Sequence, residues 1–134
     1  KKLNGIKLQK IQKNCSHVYY VFPMQIDSKK IGVHRNKIYQ ALTAEGIQGL
    51  QIKFTNVHRL PMFKKKIAYG KKGFPWNKFN NKISYKKGDC PVAEEFHNKT
   101  FISFQVCLFS FNKKDIENIV KAFNKIWSYL KIQK

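Results

Sequence analysis

The chain has 134 residues, of which 43% are hydrophobic and 14% aromatic, and its formal net charge is +20. The apolar fraction excludes a disordered tail, and the length suits a single domain. We expect neither a membrane span nor a signal peptide, because no apolar run is long enough. The three cysteines are far apart and form no Cys-x-x-Cys pair, which predicts reduced thiols in a cytoplasmic protein.

The strong positive charge has two interpretations, and both stay open. A field of this sign favours a partner that carries phosphates or another anionic surface. The cations are nearly all lysines, however, with only Arg35 and Arg59 as arginines, and the chain is also rich in Ile, Asn, Phe and Tyr. Such a joint bias is also typical of an A/T-rich genome, in which case the lysines form a solvated surface.

The first half of the chain predicts alternating strands and helices. Residues 1–16 are interpreted as the end of a linker helix followed by a connector. The β-branched and aromatic stretch 17–27 predicts a strand with Pro23 near its exit or at a bulge. A helix is predicted over 33–47, with Gly46 as its left-handed C′ residue and Ile47 as the following hydrophobic contact. A short strand at 50–54 and a helical turn that starts at Pro61 follow.

The second half begins with a long loop and ends with an amphipathic helix. Residues 70–88 are rich in glycine, asparagine and lysine and predict a functional or mobile loop. A helix follows in which Asp89 is the expected cap and Pro91 lies in the first turn. Residues 100–106 predict a strand. In the last helix Asn112 is the expected N-cap, with Asp115 three residues on. Its apolar stripe consists of Ile116, Ile119, Val120, Phe123, Trp127 and Leu130. This order predicts an α+β fold in which helices cover a small sheet.

Metal binding and thiol catalysis are disfavoured. The four histidines show no ligand spacing. Glu94 and His97 stand at i and i+3, but carboxylate–histidine metal sites need a second such helix. We therefore interpret this pair as an exposed helix face. Cys90 lies at a helix start, yet no base is near it in sequence, which favours a structural thiol.

Single-stranded nucleic acid binding is an alternative from a different functional class. Lysines alternate with aromatic residues between positions 63 and 85, and stacking rings in a positive groove bind single strands. The glycines show no phosphate-loop or RNP pattern. The simpler, structural interpretation is a basic surface loop whose aromatic rings pack onto the domain. The aromatics in question are Phe63, Tyr69, Phe74, Trp76, Phe79 and Tyr85.

Five segments, taken in order and spacing, resemble the C-terminal part of the DegT/DnrJ/EryC1/StrS family. They are "HVYYVFPMQID", "HRNKIYQALTAEGI", "FTNVHRLPMF", "GDCPVAEEFHNKTFISF" and "NKKDIENIVKAFNKIW". These proteins are pyridoxal-phosphate (PLP)-dependent nucleotide-sugar aminotransferases. The resemblance covers nearly the whole chain, including the "LNGIKL" lead-in.

The resemblance implies that residues 17–134 form the small α+β domain of a fold-type-I transferase, with a mostly antiparallel sheet. The cofactor lysine, the acidic residue facing the pyridine nitrogen and the phosphate-binding turn belong to a larger domain and have no match here. "SFNKK" (110–114) is similar to the cofactor-lysine stretch, but its spacing is too short. The expected partners are therefore the PLP-binding domain of the same protein and a nucleotide-linked sugar, in a homodimeric parent. PLP would be bound by the parent and not by this chain alone.

The resemblance also implies which residues face the substrate. Phe54, Asn56 and His58 would approach the sugar, with His58 hydrogen-bonded to substrate or to a neighbouring active-site group. A structural role for His58, orienting the loop, stays open beside it. Three residues of the loop at 70–88, Lys71, Lys72 and Trp76, are the candidates for the nucleotide diphosphate, since a lysine beside a stacking ring suits a nucleotide.

Overall fold

The computed structural model describes residues 3–78 and 82–130. The chain forms two compact units, which we name by their main features. The sheet unit consists of residues 1–52 and 99–134, and the loop unit consists of residues 53–98. The predicted α+β class is confirmed by a small antiparallel sheet together with helices.

The sheet has four strands in the described part of the chain, and all neighbouring strands are antiparallel. They are β1 (Ile6–Leu8), β2 (Phe22–Ile26), β3 (Leu50–Gln51) and β4 (Phe101–Phe104), in the spatial order β1-β2-β4-β3. The three predicted strands therefore exist, but each is shorter than expected. Pro23 is tolerated in a central strand because β1 pairs only with residues 24–26, so the proline lies beyond that ladder.

One face of the sheet forms the core of the sheet unit. Met24 pairs with Ile102 and Phe22 pairs with Phe104, so these side chains share a face. Ile26 and Ile102 are fully buried. Burial of such side chains stabilises the unit by about 1.5–3 kcal/mol each.

The second helix of the sheet unit ends at the glycine that the sequence predicts. Helix α1 spans Ser28–Ile31, and α2 spans Arg35–Ala44. Gly46 adopts φ +83°. Its N–H donates to the Thr43 carbonyl at 2.9 Å, and the Ile47 N–H donates to the Leu42 carbonyl at 3.3 Å. This is a Schellman motif, in which buried Ile47 provides the hydrophobic contact, as predicted.

The last helix, α5 (Lys113–Tyr129), begins with the expected capping box. Asn112 and Asp115 exchange hydrogen bonds of 3.0 and 2.9 Å. Only the C-terminal half of the predicted apolar stripe is buried, at Phe123 and Trp127. Ile116 and Val120 are about half exposed, so the N-terminal part of the stripe is not buried in the core.

The loop unit contains two short helices, α3 (Pro61–Lys65) and α4 (Pro91–Glu95). Each has its proline in the first turn, where the missing N–H costs nothing. Two single 3-10 turns, Val57–Arg59 and Trp76–Lys78, complete the described regular structure of this unit before α4. Of the predicted loop at 70–88, residues 79–81 lie outside the described residues.

Two local predictions need correction. A helix end was expected within residues 1–16, but Ile6–Leu8 form an edge strand. Gly5, directly before this strand, adopts φ +80°, which lies outside the right-handed helical region. Its missing β-carbon leaves room for the Ile31 side chain. Asp89 was expected to cap α4, but the N-cap is Cys90. Asp89 instead accepts hydrogen bonds from the Lys86 N–H and the Ser84 hydroxyl.

Candidate functional site

The segment that carries the predicted substrate-side residues is folded into two consecutive turns. Asn56 precedes the 3-10 turn with φ −60° and ψ 112°, and its carbonyl accepts the Arg59 N–H at 2.8 Å. Its side chain makes no capping bond. Leu60 then leads into α3, which ends at Lys66 with φ +54°. These turns present the side chain of His58 to α4.

His58 is part of a compact hydrogen-bonded group within the loop unit. Its Nε2 lies 3.0 Å from Oε1 of Glu94, and the two side chains are only 12% and 11% exposed. The same Oε1 accepts the Gly88 N–H at 2.7 Å. We call His58, Glu94 and Gly88 the carboxylate clamp. It joins the 3-10 turn, the end of the long loop and α4.

The electrostatics of the clamp keep Glu94 ionised. The Gly88 N–H, and after it the hydrogen bond and charge of His58, lower the pKa of Glu94 despite its burial. The interpretation of Glu94 and His97 as an exposed helix face is therefore wrong for Glu94, which is buried. Sequence reasoning missed the pairing because residues 58 and 94 are 36 positions apart. In the described part of the chain no three metal-ligating side chains cluster.

The lowered pKa of Glu94 predicts an acid-sensitive clamp. A carboxylate whose pKa is lower in the folded protein than its ordinary value of 4.5 stabilises the fold at pH values above 4.5. That stability is lost as the pH falls through the folded pKa. We expect Glu94→Gln to weaken hydrogen-exchange protection of the Gly88 amide at pH 7, and this difference from the wild type should shrink toward zero below pH 4.5. Glu95→Gln is the matched control, because Glu95 is exposed on the same helix. A pH-independent difference, or an equal effect of the control, would contradict the assignment.

The predicted nucleotide-contacting residues of the loop do not form one group. Trp76 is half-buried in a three-ring cluster, with Nε1 donating to the Tyr85 hydroxyl at 3.0 Å. Its ring lies 6.0 Å from Phe63 and 6.4 Å from Tyr85 between centroids. Lys71 and Lys72 are exposed in the turn before Phe74. Trp76 thus holds the loop to α3, which supports the interpretation of a basic surface loop whose aromatic rings pack onto the domain.

The other aromatic and substrate-side candidates are more accessible. Phe54 is 39% exposed, Phe74 is 43% exposed and Tyr69 is 73% exposed. Tyr69 and Phe74 pack against each other at 6.2 Å between ring centroids. Phe79 lies outside the described residues.

A basic groove of about 560 Å³ is a feature of the loop unit that the sequence did not reveal. Its lining includes Arg59 together with Lys64 and Lys66 from the end of α3 and Lys82 and Lys86 from the long loop. Lys64 and Lys66 line the groove, whereas Lys65, between them in the sequence, does not. The grouping depends on a loop that returns to α3, which residue spacing alone does not indicate.

None of the helices in the described residues has both the length and the apolar character that crossing a membrane requires.

The lysines of the "SFNKK" stretch lie at the start of the last helix. Lys113 and Lys114 are exposed in the first turn of α5, beside the capping box.

Comparison with known proteins gives two partial relatives and no matching family model. The uncharacterized protein MJ1066 of Methanocaldococcus jannaschii is 27% identical over 126 residues, which are 94% of this chain and 28% of that protein. The spore coat polysaccharide biosynthesis protein SpsC of Bacillus subtilis is 32% identical over 71 residues, which are 53% of this chain and 17% of that protein. The chain thus spans less than a third of either relative, and it is similar in part to a protein of polysaccharide biosynthesis.

Proposed function

We propose that the chain is the small C-terminal domain of a nucleotide-sugar aminotransferase, where it forms the substrate-side wall of the active site. The single observation that carries the proposal is the partial similarity to a polysaccharide biosynthesis protein. Polysaccharides are assembled from nucleotide-activated sugars, and the five family-like segments point to the enzymes that aminate them. The antiparallel α+β sheet unit is consistent with this role.

The proposed reaction transfers an amino group from glutamate to a keto group of a nucleotide-linked sugar. PLP, held by a separate domain of the same protein, would supply the chemistry of the transfer. The residues of this chain would bind and orient the sugar. Phe54 offers an apolar surface, Asn56 offers a side-chain amide, and His58 is fixed by the carboxylate clamp.

The clamp supports a positioning role for His58. The Glu94 carboxylate holds one ring nitrogen, Nε2, at 3.0 Å, which fixes the plane of the ring and leaves Nδ1 for a second partner. A substrate hydroxyl is the partner we propose. The parent is expected to be a cytoplasmic homodimer, formed through the cofactor domain.

Amino-transfer assays on the gene product that contains this chain and its cofactor domain test the role of His58. We expect His58→Asn to reduce kcat/KM by about tenfold to a hundredfold, equivalent to about 1.4–2.7 kcal/mol. Glu94→Gln should shift the pH profile in the same assay, because it removes the anion that holds the ring. His17→Gln is the control, since His17 is exposed and stacks on Tyr19. Unchanged kinetics for His58→Asn would contradict the substrate-side assignment.

A second candidate, a module that binds single-stranded nucleic acid, is favoured by the net charge of +20. Titration of the chain with oligonucleotides at rising salt distinguishes it. Tight binding with a steep salt dependence, lost on Tyr69→Ala or Trp76→Ala, would favour this candidate. The packing of Trp76 against Phe63 and Tyr85 disfavours it, because a stacking platform needs a free ring face.

A further inference from the structure

The basic groove of the loop unit gathers five cations with no carboxylate in its lining. They are Arg59, Lys64, Lys66, Lys82 and Lys86. None of the five forms an ion pair with any of the described residues. The neighbouring acid, Asp89, does not line the groove, and its carboxylate already accepts the Lys86 N–H and the Ser84 hydroxyl. Asp89 therefore offsets part of the charge at Lys86, whereas the other four cations are not paired with a carboxylate among the described residues.

This arrangement differs from an ordinary lysine-rich surface because the cations come from three separate parts of the sequence. The 3-10 turn supplies Arg59, the end of α3 supplies two lysines, and the long loop supplies the other two. Lys66 is held in the left-handed region at φ +54°, and its N–H donates to the Met62 and Phe63 carbonyls. The backbone that presents the charges is thus fixed by helix termination and by the ring cluster. Like charges brought together in this way repel one another unless an anion lies between them.

From the geometry we infer that the groove binds the diphosphate of a soluble ligand. Two linked phosphates carry at least two negative charges and several acceptor oxygens at neutral pH, so they match several cations where a single carboxylate does not. Arg59 supplies a planar fork for two phosphate oxygens, and the lysines supply point charges. The Ile83 and Tyr85 side chains add apolar surface to the same lining, which suits the uncharged part attached to the phosphates.

The inference relocates the phosphate contacts away from Lys71 and Lys72, which do not line this groove. The choice of a nucleotide-linked sugar as the natural ligand rests on the proposed function. The choice of a diphosphate rests on the groove alone.

Calorimetric titration of residues 1–134 with inorganic pyrophosphate tests the site. A pair of double variants separates the groove from diffuse charge. Lys64→Gln with Lys86→Gln removes two lining cations, and Lys65→Gln with Lys87→Gln removes two charges at the adjacent positions outside the groove. We expect the lining pair to weaken pyrophosphate binding by about tenfold or more and the adjacent pair by about twofold or less, since a hydrogen-bonded charge contributes more than a distant one.

Three outcomes decide the inference. Equal weakening by both double variants would overturn it, because the attraction would then be the field of the whole chain. Equal affinity for inorganic phosphate and pyrophosphate would also overturn it, because the groove would then not recognise two linked phosphates. The chain could also bind vesicles that carry a lipid-linked diphosphate more strongly than it binds a nucleoside diphosphate. If only the lining double variant lost this vesicle binding, the inference that the ligand is soluble would be overturned. Thermal unfolding of each variant checks that the fold is intact.

Failure of the groove and failure of the proposed function give different results. Pyrophosphate binding with no amino transfer by the gene product would retain the groove and reject the aminotransferase. Amino transfer that is unaffected by the lining double variant would retain the aminotransferase and reject the groove as its phosphate site.

Discussion

Replacement of Arg35 by methionine will lower the free energy of unfolding by about 2–4 kcal/mol, because two buried carbonyls lose charged donors. Arg35 is only 3% exposed at the start of α2. Its Nη1 donates to the carbonyls of Ile52, at 3.2 Å, and Phe101. These bonds join the helix to the chain after β3 and to the first residue of β4. Burial lowers the pKa of the guanidinium, so the hydrogen bonds must offset its desolvation.

Urea unfolding at neutral pH measures this effect. Methionine keeps an unbranched apolar stem at this position but is shorter than arginine, so the loss combines the hydrogen bonds with some lost packing. Arg35→Lys should fall between the wild type and methionine, because an ammonium group can donate to the carbonyls but lacks the Nε–H that donates to the Asn36 side chain. A loss below about 1 kcal/mol for methionine would show that the carbonyls find other donors.

Replacement of Trp127 by alanine will destabilise the sheet unit by about 3–5 kcal/mol, the usual cost of deleting a large buried aromatic. Trp127 is 6% exposed and stacks on Phe123 at 5.7 Å between ring centroids. Its Nε1 donates to the Asn4 carbonyl at 2.8 Å, next to the start of β1. The side chain thus fixes both the core face of α5 and the N-terminal edge strand.

Two further variants separate these contributions in the same unfolding experiment. Trp127→Phe retains much of the packing and should lose about 1 kcal/mol from the hydrogen bond to Asn4. Tyr129→Ala, on the same helix but 78% exposed, should stay within about 0.5 kcal/mol of the wild type. If Trp127→Phe cost as much as alanine, the hydrogen bond and not the packing would dominate.

Local chemistry explains which elements could be predicted from the sequence. The Asn112–Asp115 capping box and the Gly46 Schellman motif depend on residues a few positions apart, and both are confirmed. The edge strand at Ile6–Leu8 was missed because three residues carry too little periodicity, and it is defined by its pairing with β2.

Long-range contacts explain what could not be predicted in the candidate site. His58 was identified through a family resemblance, but its partner Glu94 lies on a distant helix and had been interpreted as exposed. The groove likewise depends on a loop whose return path brings Lys82 and Lys86 to α3. Lys64 and Lys65 are identical neighbours in the sequence, and only the direction of each side chain decides which one lines the groove.

The most direct measurement of the central proposal is the absorbance spectrum of bound PLP after dialysis. Residues 1–134 and the gene product that contains them with its cofactor domain are each incubated with PLP and dialysed under identical conditions. We expect the longer protein to retain a cofactor band that borohydride reduces, and residues 1–134 to retain none. A band that survives dialysis in residues 1–134, or its absence from the longer protein, would contradict the assignment of this chain as the small domain of a PLP-dependent aminotransferase.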